Sequence, residues 1–244
     1  MNATALRRPA VLVSVILVAV LLAGLIAILI GAARRGGDRG GPATITGHRD
    51  GLSNATFEIL DGVTSLRVRA GDIGDDLYRV TVPDGSGLTP HVDRDRGNLR
   101  LHLTPAGDGG GSKVVDVILN PGVGWTLRVN GGAQDVGIDM TAGATDSIQL
   151  AGGASRIDVA LARPSRPTVV VMTGGVDQFA LRLAANTPVR VTAASGAGQV
   201  TIGGETHQGV GGGQVFSAGG WTDGAPGVDV RAQAGAGGIT VTEG

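Results

Sequence analysis

The chain has 244 residues, of which 44 are Gly, 17% are charged and none is Cys, and its formal net charge is −1. A hydrophobic share of 42% with a mean hydropathy of +0.20 excludes a solvated, coreless chain, and Gly without a three-residue period excludes collagen. Lack of Cys removes disulfide scaffolds, thiolate zinc sites and Cys nucleophiles, while 16 basic against 21 acidic residues from Gly36 onward leave no basic footprint for nucleic acid.

Residues 1–9 read as an N-terminal tail. The 24 residues from Ala10 to Ala33 carry no charge and are bracketed by Arg7-Arg8 and Arg34-Arg35. A membrane helix needs roughly 20 apolar residues, and a buried soluble helix would show an amphipathic stripe that Val11 to Ile30 lacks. Residues 10–33 are therefore expected to be a transmembrane helix that meets membrane lipid. A cleaved signal peptide is the rival, with Gly31-Ala32-Ala33 small enough to be cut, although its apolar region is usually only ~7–15 residues long. Arginine counts favour a cytoplasmic carboxyl side. Position near the amino terminus favours a signal anchor, and the expectation is an extracytoplasmic domain on a single-pass cell-membrane protein.

Residues 34–54 read as a flexible tether, since Gly36 to Asn54 holds six Gly and no hydrophobic period. An N-terminal β part is expected over 55–120. There Leu66 and Val68 alternate with Arg67 and Arg69, and Leu99, Leu101 and Leu103 alternate with Arg100 and His102. Gly97-Asn98 reads as a hairpin turn toward Val92, Val114 to Leu119 as an apolar strand, and Gly107 to Ser112 as a loop.

Residues 121–244 carry a repeat of about 21–22 residues. The small pairs Gly131-Gly132, Gly152-Gly153, Gly174-Gly175, Ser195-Gly196 and Ala234-Gly235 begin 21, 22, 21 and 39 residues apart. Four positions before them stand Leu127, Ile148, Val170, Val191 and Val230; two before stand Val129, Leu150, Met172, Ala193 and Ala232. Five after stand Val136, Ile157, Phe179, Val200 and Ile239; seven after stand Ile138, Val159, Leu181, Ile202 and Val241. All are apolar, and the positions between them are mixed. Each unit is thus strand, small-residue turn, strand, with one apolar face that only stacking can bury. The small pairs are expected to let the backbone bend sharply, with Gly free to take a positive φ there. The long last step places Gly203 to Val228 as a degenerate turn or a protruding loop, with Trp221 plugging the core or making an exposed contact. The fold class is all-β, a repetitive β-solenoid or stacked-sheet domain capped at one end by the N-terminal strands.

Chemistry was sought at the remaining motifs. Gly107 to Val114 fails the final positions of a phosphate-binding loop. Ala194-Ser195-Gly196 falls at a repeat corner and is no nucleophile elbow. His48, His91, His102 and His207 form no zinc-ligand pair. Asp72, Asp75 and Asp76 form the densest acidic cluster but lack the further oxygens calcium needs. Stacking places Asp135 in a column with Arg156, Gln178, Gln199 and Gly238, and Asp158 with Gly137, Ala180, Thr201 and Thr240, so neither acid repeats. Asn54-Ala55-Thr56 matches a glycosylation acceptor. The expectation is no catalytic, cofactor-binding or metal-binding residue, hence no cofactor and no enzyme.

The phrases Val-Thr-Ala-Ala-Ser-Gly-Ala-Gly-Gln-Val-Thr-Ile (191–202) and Val-Arg-Ala-Gln-Ala-Gly-Ala-Gly-Gly-Ile-Thr-Val (230–241) resemble toast-rack or "putative adhesin" β-repeat domains of bacterial cell-envelope stress-response membrane proteins. The resemblance covers roughly residues 55–244. It implies a β-solenoid-like module for assembly or regulation at the membrane, without a catalytic set. The expected function is a membrane-anchored, non-catalytic envelope module that meets an unknown envelope protein, or its own kind, through an exposed strand edge. An open stack end at Ile239 to Thr242 would offer that edge. A surface adhesin is a variant. The alternative is a polysaccharide-acting β-helix enzyme, which needs carboxylates clustered beside an aromatic platform such as Trp125 or Trp221.

Overall fold

Apolar residues at every second position, separated by small or turn-forming residues, dictate strands, and strands are what the chain forms. The computed structural model describes residues 41–106 and 113–244. The expected tail at 1–9, the expected membrane helix at 10–33, the loop at 107–112, and the first part of the tether lie outside the described residues. Among the described residues no helix is long and apolar enough to cross a membrane.

The strands are β1 (Ala43–His48), β2 (Asn54–Ile59), β3 (Val63–Ala70), β4 (Asp76–Val82), β5 (Leu88–Asp95), β6 (Asn98–Pro105) and β7 (Val114–Leu119). There follow β8 (Gly124–Val129), β9 (Ala133–Met140), β10 (Ala144–Leu150), β11 (Ala154–Leu161), β12 (Thr168–Met172) and β13 (Val176–Leu183). The last are β14 (Val189–Ala193), β15 (Ala197–Ile202), β16 (Glu205–Val210), β17 (Gln214–Ala218), β18 (Val228–Ala232) and β19 (Ala236–Glu243).

They build two mixed sheets. Sheet A runs β1-β4-β7-β3-β9-β11-β13-β19-β15-β16, and sheet B runs β17-β14-β18-β12-β10-β8-β2-β6-β5. From β6 to β15 consecutive strands alternate between the sheets, so β8–β9 or β10–β11 makes one rung, with one strand in each sheet. Neighbouring rungs pair in parallel, and antiparallel pairing is confined to the ends: β1 on β4, β4 on β7 and β5 on β6 at one, β16 on β15 and β17 on β14 at the other. The N-terminal strands cap one end as expected.

The repeat rows are rows in space. Leu127 pairs with Ile148, Ile148 with Val170, Val170 with Val230 and Val230 with Val191. Phe57 and Leu99 extend that row beyond Leu127. None of the twenty repeat positions is more than 7% exposed, and all belong to one core between the sheets.

Several expectations are corrected. Rung order departs from chain order at both ends: β6–β7 lies outside β2–β3, and the C-terminal β18–β19 lies between β12–β13 and β14–β15. Ile239 to Thr242 is therefore not the open end of the stack, because β13 pairs β19 throughout on one side and β15 pairs it as far as Thr240 on the other. The 203–228 segment is neither a degenerate turn nor a protruding loop: its β16 and β17 turn back antiparallel and close the end of the stack. Ala43–His48, assigned to the tether, is strand β1, because Ile45 finds the core while Thr44 and Thr46 face out. The β5–β6 turn sits at Arg96-Gly97, with Arg96 left-handed at φ 53°, one residue earlier than expected.

The corner glycines serve a different purpose from the one expected. Of the five small pairs only Gly196 has a positive φ. At Gly131 an added Cβ would stand 2.1 Å from the Asp61 carbonyl oxygen, at Gly152 2.1 Å from that of Gly131, and at Gly174 2.5 Å from the Gly152 backbone. Close stacking of one corner on the next excludes a side chain there, whatever the dihedral angle.

Candidate functional site

The strongest side-chain constellation lies on the outer face of sheet B, where β14 meets β18. Asp229 is only 4% exposed. The Arg190 guanidinium grips it with two bonds, Nε donating to Oδ1 at 3.0 Å and Nη2 to Oδ2 at 2.9 Å. Arg231 Nε donates to Oδ2 at 2.8 Å. From the 219–227 connection, Asp223 accepts from Arg190 Nη1 at 2.6 Å and from the Trp221 indole at 3.1 Å. The Trp221 ring lies 4.9 Å from the Arg190 guanidinium carbon, a cation–π stack. Trp221 thus neither plugs the core nor stands free.

These two acids beside Trp221 meet the criterion set for a polysaccharide-acting enzyme, and their chemistry answers it. A glycosidase acid needs a carboxyl whose proton affinity is raised. Burial alone raises that of Asp229, but the hydrogen bonds and charges of Arg190 and Arg231 carry the balance below the usual carboxylate range. An acid held ionised by two arginines cannot deliver a proton near neutrality. Trp125, the other candidate platform, is fully buried, donates to the Asn120 carbonyl at 2.9 Å and meets Phe57 edge-on. No sugar can stack on it.

The other flagged residues do not converge. His91 and His102 face each other across β5 and β6 and both reach Asp93, at 3.0 and 3.3 Å. His48 lies 3.7 Å from Asp76, and His207 stacks on Phe216 at 4.6 Å. Asp72 accepts the Gly74 amide within its own loop, and Asp76 pairs with Arg79 at 3.4 Å. Ser195 donates to the Gln233 carbonyl at 2.6 Å, tying a corner to its neighbour. Asn54, of the sequence that matches a glycosylation acceptor, opens β2 at an exposed position. Among the described residues no group of three or more His, Asp or Glu is placed to hold a metal ion. The stacked columns are as expected, with rung order changed: Asp135, Arg156, Gln178, Gly238, Gln199, and Gly137, Asp158, Ala180, Thr240, Thr201.

Among the described residues the sheets end in four edges: β1 and β16 in sheet A, β5 and β17 in sheet B. Edges invite foreign strands, and charge, Pro or irregularity blunts them. β5 carries Pro90, Asp93, Arg94 and Asp95; β16 carries Glu205 and Gly209 at φ 62°. β1 carries no Asp, Glu, Lys or Arg but breaks register at Gly47/His48. β17, Gln-Val-Phe-Ser-Ala, has neither charge nor Pro, and its Val215 is 56% exposed, the one large hydrophobic residue so exposed among the described residues.

Neither Val215 nor the Arg190–Asp229 pair was singled out from the sequence. The pair did leave a trace, since Arg190 and Asp229 each stand five positions before a repeat corner. That trace becomes a contact only once β18 is known to adjoin β14.

No protein-family model matches the chain, and no curated protein does. Among solved structures, a "putative cell adhesion protein" from Clostridium sporogenes is similar at 15% identity with a TM-score of 0.60, over 82% of this chain and 99% of that one. "Putative adhesin" structures from Bacteroides fragilis and Parabacteroides merdae align at 10% and 11% identity over 83% and 84% of this chain and 98% and 97% of theirs, each with a TM-score of 0.22. The Clostridium likeness is one of fold.

Proposed function

We propose that this chain is a non-catalytic binding module, tethered to the cell membrane through residues 10–33 with its β domain outside the cytoplasm, that serves adhesion or assembly at the cell surface. The observation that carries the reading is the β17 edge, uncharged and exposing Val215 at the end of the stack. Such an edge accepts a partner strand through main-chain hydrogen bonds, with side-chain contacts adding selectivity. The capture of Asp229 by arginines supports a structural role for the one acid cluster that resembles catalytic equipment. The fold shared with a candidate cell adhesion protein points the same way.

Cells displaying the full chain test both parts. Protease added to intact cells is expected to shed the β domain, and cells carrying Val215→Lys are expected to lose the cell-to-cell adhesion that the unaltered chain confers. A domain protected until the cells are opened overturns the location. Equal adhesion by Val215→Lys overturns the edge.

A further inference from the structure

The C-terminal rung occupies a gap between two rungs that follow each other in the chain and fit each other without it. β12 and β14 are each five residues long, and both hold β18 in the same register: Thr168 and Val189 against Val228, Val170 and Val191 against Val230, Met172 and Ala193 against Ala232. In sheet A, Phe179 and Val200 both face Ile239, and Ala180 and Thr201 both face Thr240. Withdrawing β18–β19 would therefore bring Val191 opposite Val170 and Val200 opposite Phe179, apolar row on apolar row. The 184–188 connection now spans two rung spacings, about 10 Å at ~4.8 Å each, and spans one as readily.

The rung follows the β16–β17 cap in the chain. It hangs on the 219–227 connection, which contains Gly219, Gly220 and Gly224, all at positive φ, and Pro226. Extended, those nine residues reach roughly 30 Å. It is held by ladder pairing to β12 and β14 in one sheet and to β13 and β15 in the other, by its buried apolar row, and by further bonds that include the Asp229 grip on Arg190, the Val228 amide on the Pro188 carbonyl at 2.9 Å, and Glu243 accepting the Asn186 amide at 3.0 Å.

We propose that residues 228–244 are an exchangeable rung, which two copies of this chain swap reciprocally, each filling the other's gap between β12–β13 and β14–β15. The partner is a second copy because the gap selects for it: the incoming strands must set an acid against Arg190 and apolar residues against Val170, Val191, Phe179 and Val200, and this chain's own 228–244 segment does so. Exchange reproduces every contact of the rung and changes only the route of the connection, the condition under which swapping costs least. Direct closure of β14–β15 on β12–β13 shelters the core while the rung is out. The proposal is independent of the β17 edge.

The chain has no Cys, so engineered thiols are unique. Thr192 and Arg231 are outward-facing partners on β14 and β18. A tagged full-length T192C chain is mixed with an untagged R231C chain, exposed briefly to mild acid, returned to neutral pH and oxidised. Several-fold more heterodisulfide than from R100C mixed with R231C is expected, because β6 never meets β18. A yield equal to that control overturns the proposal. The double variant T192C/R231C closes its disulfide within one chain, which verifies that both substitutions leave the rung seated. In a Val215→Lys background the heterodisulfide is expected to persist, so loss of edge adhesion and loss of exchange are read separately.

Discussion

The middle rungs and the C-terminal rung bury the same rows by different means. β8–β9, β10–β11 and β12–β13 stack in chain order, and at their corners Gly131, Gly152 and Gly174 press backbone on backbone. β18–β19 continues the rows through Val230, Ala232, Ile239 and Val241, yet the first position of its corner is Ala234, which carries a Cβ where the middle rungs have Gly131, Gly152 and Gly174. In place of a tight corner it has Asp229 between Arg190 and Arg231. Apolar rows fix how deep a residue sits but hardly distinguish one rung from another. The neighbour of β18 is marked instead by charge, since Asp229 finds a guanidinium on β14 and only Val169 on β12.

The corners offer the sharpest way to break that comparison. Gly152→Ala places a methyl group inside the Gly131 carbonyl, and backbone cannot yield as a side-chain tip can. A loss of about 4 kcal/mol or more is expected in urea unfolding followed by far-ultraviolet circular dichroism. Gly235→Ala, in open space, is expected to stay within about 0.5 kcal/mol of the unaltered chain or to gain slightly from a stiffer unfolded state. Similar losses at the two sites would mean that backbone crowding does not set the cost of a side chain at a corner.

Next in size is Ile239→Ala. At an open stack end its loss would be slight. In an interior rung, fully buried between Phe179 and Val200, it is expected to cost about 2–5 kcal/mol by the same measurement.

Those positions also mark how far the sequence can be read. Alternation and repeat spacing identify the strands, the two-faced unit and all twenty core positions, because burial on a pleated strand has a period of two. Rung order is not legible: Val170 accepts Val191 or Val230 equally well, and spacing along the chain wrongly favours Val191. The caps are hidden for a related reason. β16 and β17 are mostly exposed, so their residues carry little alternation, and Glu-Thr-His-Gln-Gly-Val reads as loop. β1 is missed because Gly and charge on both sides drown the signal of Ile45. At the site, Arg190 and Asp229 are visible only as equivalent repeat positions. The exposure of Val215 depends on nothing lying beyond β17 in the sheet, which the residue's own neighbours in the chain do not reveal.

A smaller effect separates the C-terminal rung from the middle ones by pH. Asp229→Asn removes the anion while leaving Arg190 and Arg231 in place, and a loss of about 1–3 kcal/mol is expected near neutrality. In the folded chain Asp229 stays ionised below the usual carboxylate range, so its contribution is complete above that range and fades as pH falls through the lowered folded value. Asp139, lowered chiefly by the Thr141 hydroxyl and also by Arg182 and Arg69, adds a dependence of the same sign on β9. Unfolding measured from neutral pH down into acid is therefore expected to show a shallower decline in Asp229→Asn, with the Asp139 share remaining. An unchanged slope would show that the arginine grip contributes nothing to holding the rung.

The smallest expected effect on stability belongs to the residue given the largest part in binding. Val215 is 56% exposed and faces out beside Thr192, so Val215→Lys removes little buried area and is expected to shift unfolding by no more than about 0.5 kcal/mol. Its effect falls on the edge: a strand arriving beside β17 would have to accommodate an ammonium group, the guard that other edge strands carry already. Thr44→Lys on β1 supplies the comparison at the opposite end of the stack, as neutral in stability and without effect on adhesion. If both substitutions weaken adhesion alike, added charge rather than the β17 edge is responsible. If only Val215→Lys does so, the end of the stack farther from the tether is the binding end, and the antiparallel β16–β17 cap presents it.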